Sequence, residues 1–368
     1  SKLGVGSSVF DVSEAGKLRS PKGFHGADGM TRKQASGMVL GKFCPPTLGH
    51  QYLVDFARHY VTDLTVIVGS LKREPIPGEV RLRWVQEMFP DVRVVHLTDE
   101  NPQYPHEHTD FWRIWHDSIR RFIAAGPDYV FASEEYGFKL AEILGATYVP
   151  VDQMRGQVPI SATEARNDPM KHWAFLPPCV RPWYVRTVCI VGPESTGKTT
   201  LAERLARHYG SALAAEYARG CIDAHRGEVK QGMFEMFVLG QAASEQALAR
   251  QANRVLVCDS DAFTTALYHE LYYGTCPEFI MEEARRRRYD LYLLAYHDTP
   301  FVEDGQRKHE DKRDWFFKRC EKWLRERNAR CVVVRGDWET RFHIARAAVD
   351  ELLALPETAF ERRRNWTG

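Results

Sequence analysis

Three observations predict two α/β units in tandem, each a parallel sheet with helices on both faces. Apolar strand-like runs alternate with stretches of helical spacing from Met38 to Val334. Twice a short apolar run leads into a Gly-containing turn and then a helix, at Gly41–His50 and at Gly192–Thr199. The chain has 368 residues, for which two domains are the natural expectation. A stretch running from Pro177-Pro178 to Arg181-Pro182 separates the halves and is expected to break any helix. The expected division is a tail over 1–35, one domain over 36–182 and a second over 183–368.

Composition narrows the function classes. Hydrophobic content of 44% and charged content of 27% suit a soluble globular protein. A net charge of +1 offers no bulk electrostatic grip on nucleic acid or on an anionic membrane. No apolar run approaches the roughly 20 residues of a membrane span, and no basic-then-apolar leader opens the sequence. The eight cysteines lack C-x-x-C pairing, and Cys189, Cys258 and Cys331 sit in apolar runs. That pattern points to reduced thiols in a cytoplasm rather than disulfides or zinc. A homo-oligomer is compatible with all of this.

The elements follow in order. Residues 1–35 are rich in Gly, Ser and Lys, lack steady periodicity and are expected to form a mobile tail, with Met30 as an internal start. They cannot supply the packed helices of a helix-turn-helix. Met38–Leu40 is a short strand. Gly41-Lys42-Phe43-Cys44-Pro45-Pro46-Thr47-Leu48-Gly49-His50 then leads into a helix marked by Leu53, Phe56 and Tyr60. Strands are expected at Leu64–Val68, Val92–Leu97 and Tyr129–Phe131, and helices at Glu79–Met88, Trp112–Ala125 and Phe138–Leu144. This alternation is Rossmann-like, and a loop opening a helix after its first strand is an anion-binding arrangement.

In the second half Val188–Val191 is a strand, and Leu201, Leu205 and Tyr209 mark one face of a helix. Between them, Gly192-Pro193-Glu194-Ser195-Thr196-Gly197-Lys198-Thr199 fits G-x-x-x-x-G-K-[ST], the P-loop, with Thr200 extending it. Its glycines let backbone N–H groups face a phosphate at the positive end of the helix. Lys198 would neutralise the β and γ phosphates of ATP, and Thr199 would hold Mg²⁺. A strand over Ser211–Ala215 ends at Glu216, and Arg254–Cys258 closes on Asp259, the placement from which a carboxylate holds Mg²⁺. Strands Leu291–Ala295 and Cys331–Val334 complete the sheet.

Ile160-Ser161-Ala162-Thr163-Glu164-Ala165-Arg166, taken alone after Pro159, reads as an ordinary helix cap. Paired with GKFCPPTLGH upstream, it resembles the signature of the (H/T)xGH nucleotidyltransferase superfamily. FASEEYGFKLAEILGATYVPVDQ between the two, and GPESTGKTT after them, resemble the bifunctional NadR type, in family order over about residues 36–345. Thr47 stands where NadR-type proteins often have His, although the wider superfamily permits Thr. The DNA-binding domain of some members has no counterpart in the sequence.

The resemblance implies a nucleotidyltransferase domain followed by a P-loop kinase domain. One would transfer adenylyl from ATP to nicotinamide mononucleotide (NMN), giving NAD and pyrophosphate. The other would phosphorylate ribosylnicotinamide to NMN. ATP and Mg²⁺ are the implied cofactors, and the partners are these small molecules, with no nucleic acid and no membrane. Two other readings stay open: a kinase whose first domain only senses nucleotide, and an NAD-responsive regulator.

The chemistry explains the residue types. A phosphomonoester is already mostly dianionic at neutral pH, its second pKa being about 6. Attack on the α-phosphorus therefore needs alignment and charge stabilisation rather than a strong base. His50 would supply a charged N–H and Thr47 a hydroxyl, while Gly41, Lys42, Phe43 and Gly49 are expected to bind ATP. The resemblance gives Ser161, Thr163 and Arg166 the β and γ phosphates. Lys72, Arg73, Arg81 and Arg83 could assist there, but a solvated helix face is the expectation for most of them. Trp112 and Trp115 read either as core or as stacking on the nicotinamide ring, the family role favouring Trp112. His106 and His108 read as a polar loop, since no third metal ligand is evident.

The kinase nucleophile is a neutral hydroxyl, so a nearby carboxylate is useful. Asp259 is expected on Mg²⁺ and Glu216 on the substrate hydroxyls, either serving as base. A plain ion pair of Glu216 with Arg219 is the competing reading. Arg219 and Asp261 are expected beside the substrate. Arg307, in a polar stretch that resembles the family's lid, would reach the transferring phosphate. Arg285–Arg288 reads as a solvated face, and Gly336–Trp338 as a flank for adenine.

Overall fold

The computed structural model describes residues 33–302 and 309–360. The first sheet contains β1 (Lys33–Gly41), β2 (Val61–Gly69), β3 (Arg93–Leu97), β4 (Tyr129–Ala132) and β5 (Thr147–Pro150). Its helices are α1 (Leu48–Tyr60), α2 (Gly78–Met88), α3 (Phe111–Arg120), α4 (Tyr136–Leu144) and the short α5 (Ala162–Asn167). After α6 (Arg181–Tyr184) comes a second sheet of β6 (Arg186–Val191), β7 (Leu213–Ala214), β8 (Val255–Asp259), β9 (Leu291–Ala295) and β10 (Cys331–Val334). Its helices are α7 (Lys198–Tyr209), α8 (Tyr217–Ala224), α9 (Met233–Ala249), α10 (Ala262–Tyr273), α11 (Glu278–Arg286), α12 (Arg313–Glu326) and α13 (Trp338–Ala354).

Both sheets are parallel, ordered β3-β2-β1-β4-β5 and β10-β9-β6-β8-β7. Parallel strands need covered faces, and the alternation of side chains shows how they get them. In the first sheet Val39, Val66 and Val68 pack with Leu53, Val54, Val85 and Phe89 of α1 and the α2 region. Their neighbours Met38, Ile67 and Val130 pack on the other face with Ile119, Leu140 and Leu144 of α3 and α4. In the second sheet Val188 and Ile190 meet Leu201, Leu205, Phe342 and Val349, while Cys189 and Val191 share a core with Phe234, Phe263 and Phe316. β6 is buried along its whole length, as a central parallel strand must be.

Several boundaries differ from expectation. β1 begins at Lys33, so it includes residues assigned to the tail; Ser36 is fixed there by its N–H and hydroxyl, both donating to Asp128 Oδ2. The rest of the expected tail, 1–32, lies outside the described residues. β5 was not foreseen, being short and only half-buried. The Pro-rich stretch is neither helix-free nor a loose linker. Pro182 falls in the first turn of α6, where a missing N–H breaks no intrahelical bond. Leu176, Val180 and Tyr184 are buried in the core that also holds Trp84 of α2 and Phe234 of α9.

The two sheets are therefore joined through packed side chains. Trp84 meets Trp183 edge to face with centroids 5.8 Å apart, Cys179 Sγ donates to Trp84 O at 3.9 Å, and Glu87 pairs with Arg250 at the end of α9. Among the described residues no helix is long and apolar enough to cross a membrane. Truncating a buried Trp typically costs about 3–5 kcal/mol. Trp84→Ala should lower the unfolding free energy in urea by that order, whereas Arg83→Ala, at an exposed neighbour, should change it by less than about 0.5 kcal/mol.

Candidate functional site

The β1–α1 loop and the Ile160–Arg166 segment meet at the carboxyl end of the first sheet. A Cβ on Gly49 would sit 3.5 Å from Ile160 O, and Arg166 Nη1 donates to Cys44 O at 2.5 Å across 122 residues. Arg166 Nη2 also reaches Thr163 Oγ1 at 3.4 Å. Ser161 caps α5 reciprocally with Glu164: Glu164 N donates to Ser161 Oγ at 3.1 Å and Ser161 N to Glu164 Oε2 at 2.9 Å. The cap that this segment reads as when taken alone is present, and the same segment lies against the upstream loop. Phe43 takes a left-handed φ of 48° and buries its ring 4.9 Å from that of His50.

Thr47 is buried at the N-cap of α1. Its N–H donates to His50 Nδ1 at 3.1 Å, and its Oγ1 lies 2.9 Å from the same nitrogen. An N–H can only donate, so Nδ1 is the acceptor and the imidazole proton resides on Nε2. Burial, with the charge of Arg155 added, lowers the His50 pKa to about 4. This lowering favours a neutral imidazole with Nε2–H as its donor, where a charged one was expected.

The basic residues nearby separate sharply. Lys72, Arg73 and Arg83 are exposed, as expected of a solvated face. Arg81 is fully buried. It donates to Lys42 O at 2.5 Å and Gly69 O at 3.3 Å, and pairs with Glu74 at 2.5 Å; Lys42 Nζ pairs with the same carboxylate at 3.2 Å. The leucine N–H of Leu71, Arg81 and Lys42 hold the Glu74 carboxyl below its ordinary range against the opposing effect of burial. Trp112 is half-buried against the α3–α4 core, edge-on to Phe111 at 4.9 Å. His106 and His108 are exposed, and no cluster of three metal-ligating side chains occurs among the described residues.

The second constellation lies at the carboxyl ends of β6 and β8. Lys198 Nζ donates to Pro193 O at 2.9 Å, and Thr199 Oγ1 to Asp259 Oδ2 at 2.6 Å. Asp259 is 1% exposed and its Oδ1 has no hydrogen-bond partner. Burial raises its pKa, while Lys198 and the Thr199 hydroxyl oppose the rise. A buried, unpartnered carboxylate oxygen beside a hydroxyl fits a hard divalent cation that keeps several waters. Gly197 is required where it stands: φ is +73°, and a Cβ would lie 2.2 Å from the Trp338 ring. Trp338, expected at adenine, thus packs on the phosphate loop.

A cavity of about 330 Å³ opens beside this loop. Glu194 to Thr200, Glu216 and Arg219 line it, together with an aromatic wall of Phe234, Phe237, Tyr268, Tyr272 and Tyr273. Glu216 and Arg219 approach to 4.0 Å. The wall was missed in the sequence, although Phe234/Phe237 and Tyr268/Tyr272 carry the helical spacing of one face. Asp261 does not line the cavity. Its Oδ1 accepts the N–H and hydroxyl of Thr264, both at 2.8 Å, as the N-cap of α10, so the expectation of substrate contact is corrected to a structural cap. Arg307 lies outside the described residues. The residues bracketing its stretch both bond the P-loop: Val302 N donates to Ser195 Oγ at 2.7 Å and His309 N to Glu194 Oε2 at 3.2 Å.

Two buried guanidiniums behind the loop were also missed. Arg341 donates to Gly336 O at 2.7 Å, Tyr296 O at 2.9 Å and Thr196 O at 3.2 Å, and pairs with Asp298. Arg313 donates to Thr299 O at 3.0 Å and Ser195 O at 3.3 Å.

Comparison with known proteins accords with this geometry. The AAA domain family matches residues 187–341. The trifunctional NAD biosynthesis/regulator protein NadR of Salmonella typhimurium LT2 is 31% identical over 355 residues, covering 89% of this chain and 86% of its own. The chain belongs to the NadR family. The NadR of Escherichia coli K12 is likewise 31% identical, over 356 residues, with the same coverage. A crystal structure of NadR in complex with NR shares the fold at a TM-score of 0.71 and 24% identity, covering 89% of this chain and 97% of its own. A second, of NadR in complex with NAD and AMP-PNP, matches at 0.71 and 24% and covers 90% and 98%. In this NadR-family chain the Gly41–His50 loop and the P-loop both stand at carboxyl ends of parallel strands, where α/β sheets bind ligands.

The neutral state of His50 is testable. Its folded pKa lies below the ordinary 6.5, so the unfolded chain binds the proton more readily. The contribution of His50 to stability is complete above pH 6.5 and declines as pH falls toward about 4. In ¹⁵N-resolved NMR, His50 should show the Nε2–H tautomer and no titration between about pH 5 and 8. An imidazole that charges near neutrality would refute the assignment.

Proposed function

We propose that the chain carries two ATP-dependent steps of NAD synthesis at two separate sites. In residues 183–368, ribosylnicotinamide is phosphorylated to NMN. In residues 36–182, adenylyl transfer from ATP to NMN gives NAD and pyrophosphate. The observation that carries this reading is that two loops, each opening a helix at the carboxyl end of its own parallel sheet, carry separate sets of donors and cations. Membership of a family whose named relatives are NAD biosynthesis/regulator proteins supports it.

At the kinase site the P-loop amides and Lys198 hold the β and γ phosphates. Thr199 and Asp259 would hold Mg²⁺, which would supply further neutralisation of the transferring charge. The aromatic wall suits a cationic pyridinium ring. Glu216 orients the ribose hydroxyls with Arg219 beside it, and Glu216 or Asp259 accepts the proton. Arg307 is proposed over the γ phosphate.

At the adenylyltransfer site Thr47 fixes the tautomer of His50, whose Nε2–H donates to the α-phosphate as charge redistributes. Gly41, Lys42, Phe43 and Gly49 shape the pocket for ATP, and Ser161, Thr163 and Arg166 hold the departing pyrophosphate. Trp112 is proposed against the nicotinamide. The attacking phosphate needs no base, which is consistent with a neutral His50.

Product assays with ATP, Mg²⁺ and either ribosylnicotinamide or NMN test the two-site reading. Lys198→Ala should abolish riboside phosphorylation and leave NMN adenylylation nearly intact. His50→Ala should lower kcat for NAD formation by about 10²–10³, with KM for NMN little changed and kinase activity kept. Loss of both activities in either folded variant would refute separate sites.

A further inference from the structure

Buried polar groups behind the kinase cavity converge on Glu245 of α9, which is 1% exposed. Its Oε1 accepts the Tyr289 hydroxyl at 2.7 Å and Gln241 Nε2 at 3.2 Å, and its Oε2 accepts Arg287 at 3.0 Å. Arg287 belongs to the run expected as a solvated face. Arg285 and Arg286 do pair at the surface, with Glu278 and Glu283, but Arg287 turns inward. Burial raises the Glu245 pKa, and Arg287 and the two hydrogen bonds oppose the rise.

Gln241 faces two ways. Its Nε2 is committed to Glu245, so its Oε1 faces the opposite side and accepts the backbone N–H of Tyr217 at 3.0 Å. Tyr217 is the first residue of α8, and Glu216 is its N-cap. The Glu216 side chain makes no capping bond to its own helix. A helix leaves its first N–H groups without intrahelical partners, and a residue at the N-cap ordinarily satisfies one of them. The N-cap side chain reaches the second or third of them; the first, that of Tyr217, is met here by Gln241 from a neighbouring helix. The two helices are in close contact, since a Cβ on Gly240 would lie 2.2 Å from the Tyr217 ring.

We propose that Gln241 is a positioning residue for the riboside phosphorylation inferred above, with Glu245 as the group that fixes its amide. By holding the Tyr217 N–H, Gln241 fixes the stretch of backbone from which the adjacent Glu216 extends, beside a cavity that Glu216 lines and Gln241 does not. An amide side chain can rotate to exchange its oxygen and nitrogen. A carboxylate that only accepts forces the NH₂ toward itself and therefore the oxygen toward Tyr217. The role rests on the kinase reading of this site.

The test uses the full chain and three readouts. Gln241→Leu removes the acceptor and should lower kcat/KM for ribosylnicotinamide roughly tenfold, the scale of one lost buried hydrogen bond. KM for ATP and NMN adenylylation should stay unchanged, and exchange of the Tyr217 amide with solvent deuterium should accelerate. Glu245→Gln retains Gln241 but frees its amide to turn, and should move the same readouts in the same direction by less. It also serves if Gln241→Leu folds poorly, with NMN adenylylation reporting an intact chain. Unchanged Tyr217 exchange, full riboside kcat/KM, or a parallel fall in riboside and ATP parameters would each overturn the positioning role. If the unsubstituted protein fails to phosphorylate ribosylnicotinamide, the kinase reading falls and the proposal with it. If it phosphorylates and both variants match it, only the positioning role falls.

Discussion

A buried guanidinium stands behind each of the two loops, Gly41–His50 and the P-loop, and the shape of both depends on it. Arg81 gathers the carbonyls of Lys42 and Gly69 and the carboxylate of Glu74. Arg341 gathers those of Gly336, Tyr296 and Thr196 with Asp298. A charge out of water costs several kcal/mol unless the surrounding groups compensate it. The loop must therefore keep its carbonyls turned inward to meet the arginine. With the carbonyls held on that side, the loop is fixed in the conformation its amides need to meet an anion. The planar fork of arginine suits this, because one side chain engages several acceptors in fixed directions.

The two candidate sites differ in their electrostatics. The second relies on Lys198, a full charge at the start of α7, balanced by a buried carboxylate that retains an unused oxygen. The first places a neutral imidazole at the start of α1 and leaves the charge to Arg166 and the basic residues around it. This difference follows from the reactions proposed. Transfer to a neutral hydroxyl concentrates charge at the γ phosphate and uses a carboxylate beside it. Attack by a phosphate dianion needs alignment of two anions, for which an oriented neutral donor avoids binding the ground state too strongly.

The halves also share more than a linker. Trp84, Cys179 and Trp183 form a packed seam, and Leu176, Val180 and Tyr184 of the Pro-rich stretch are buried in a core that reaches α9. α9 also carries Gln241 and Glu245, so the helix that meets the seam is the one that caps the start of α8. Packing of the first half against the second thus bears on an element of the cavity beside the P-loop.

The sequence by itself determined what local rules govern. The glycine and lysine pattern of the P-loop, the strands Leu291–Ala295 and Cys331–Val334, and the capping of Ser161 could be read directly, because turn sterics, burial of parallel strands and helix-end hydrogen bonding act over a few residues. Only the tertiary structure decided the fate of residues whose role depends on distant neighbours. Arg81 and Arg83 lie on one helix, yet one is fully buried and the other exposed, since the sheet selects the face. Arg287 leaves its basic run for Glu245, and Asp261, two residues beyond Asp259, caps a helix instead of meeting the cavity. The lowered pKa of His50 arises the same way. Burial and the charge of Arg155 set its protonation, and both are properties of groups that the fold, not the local sequence, brings around the ring.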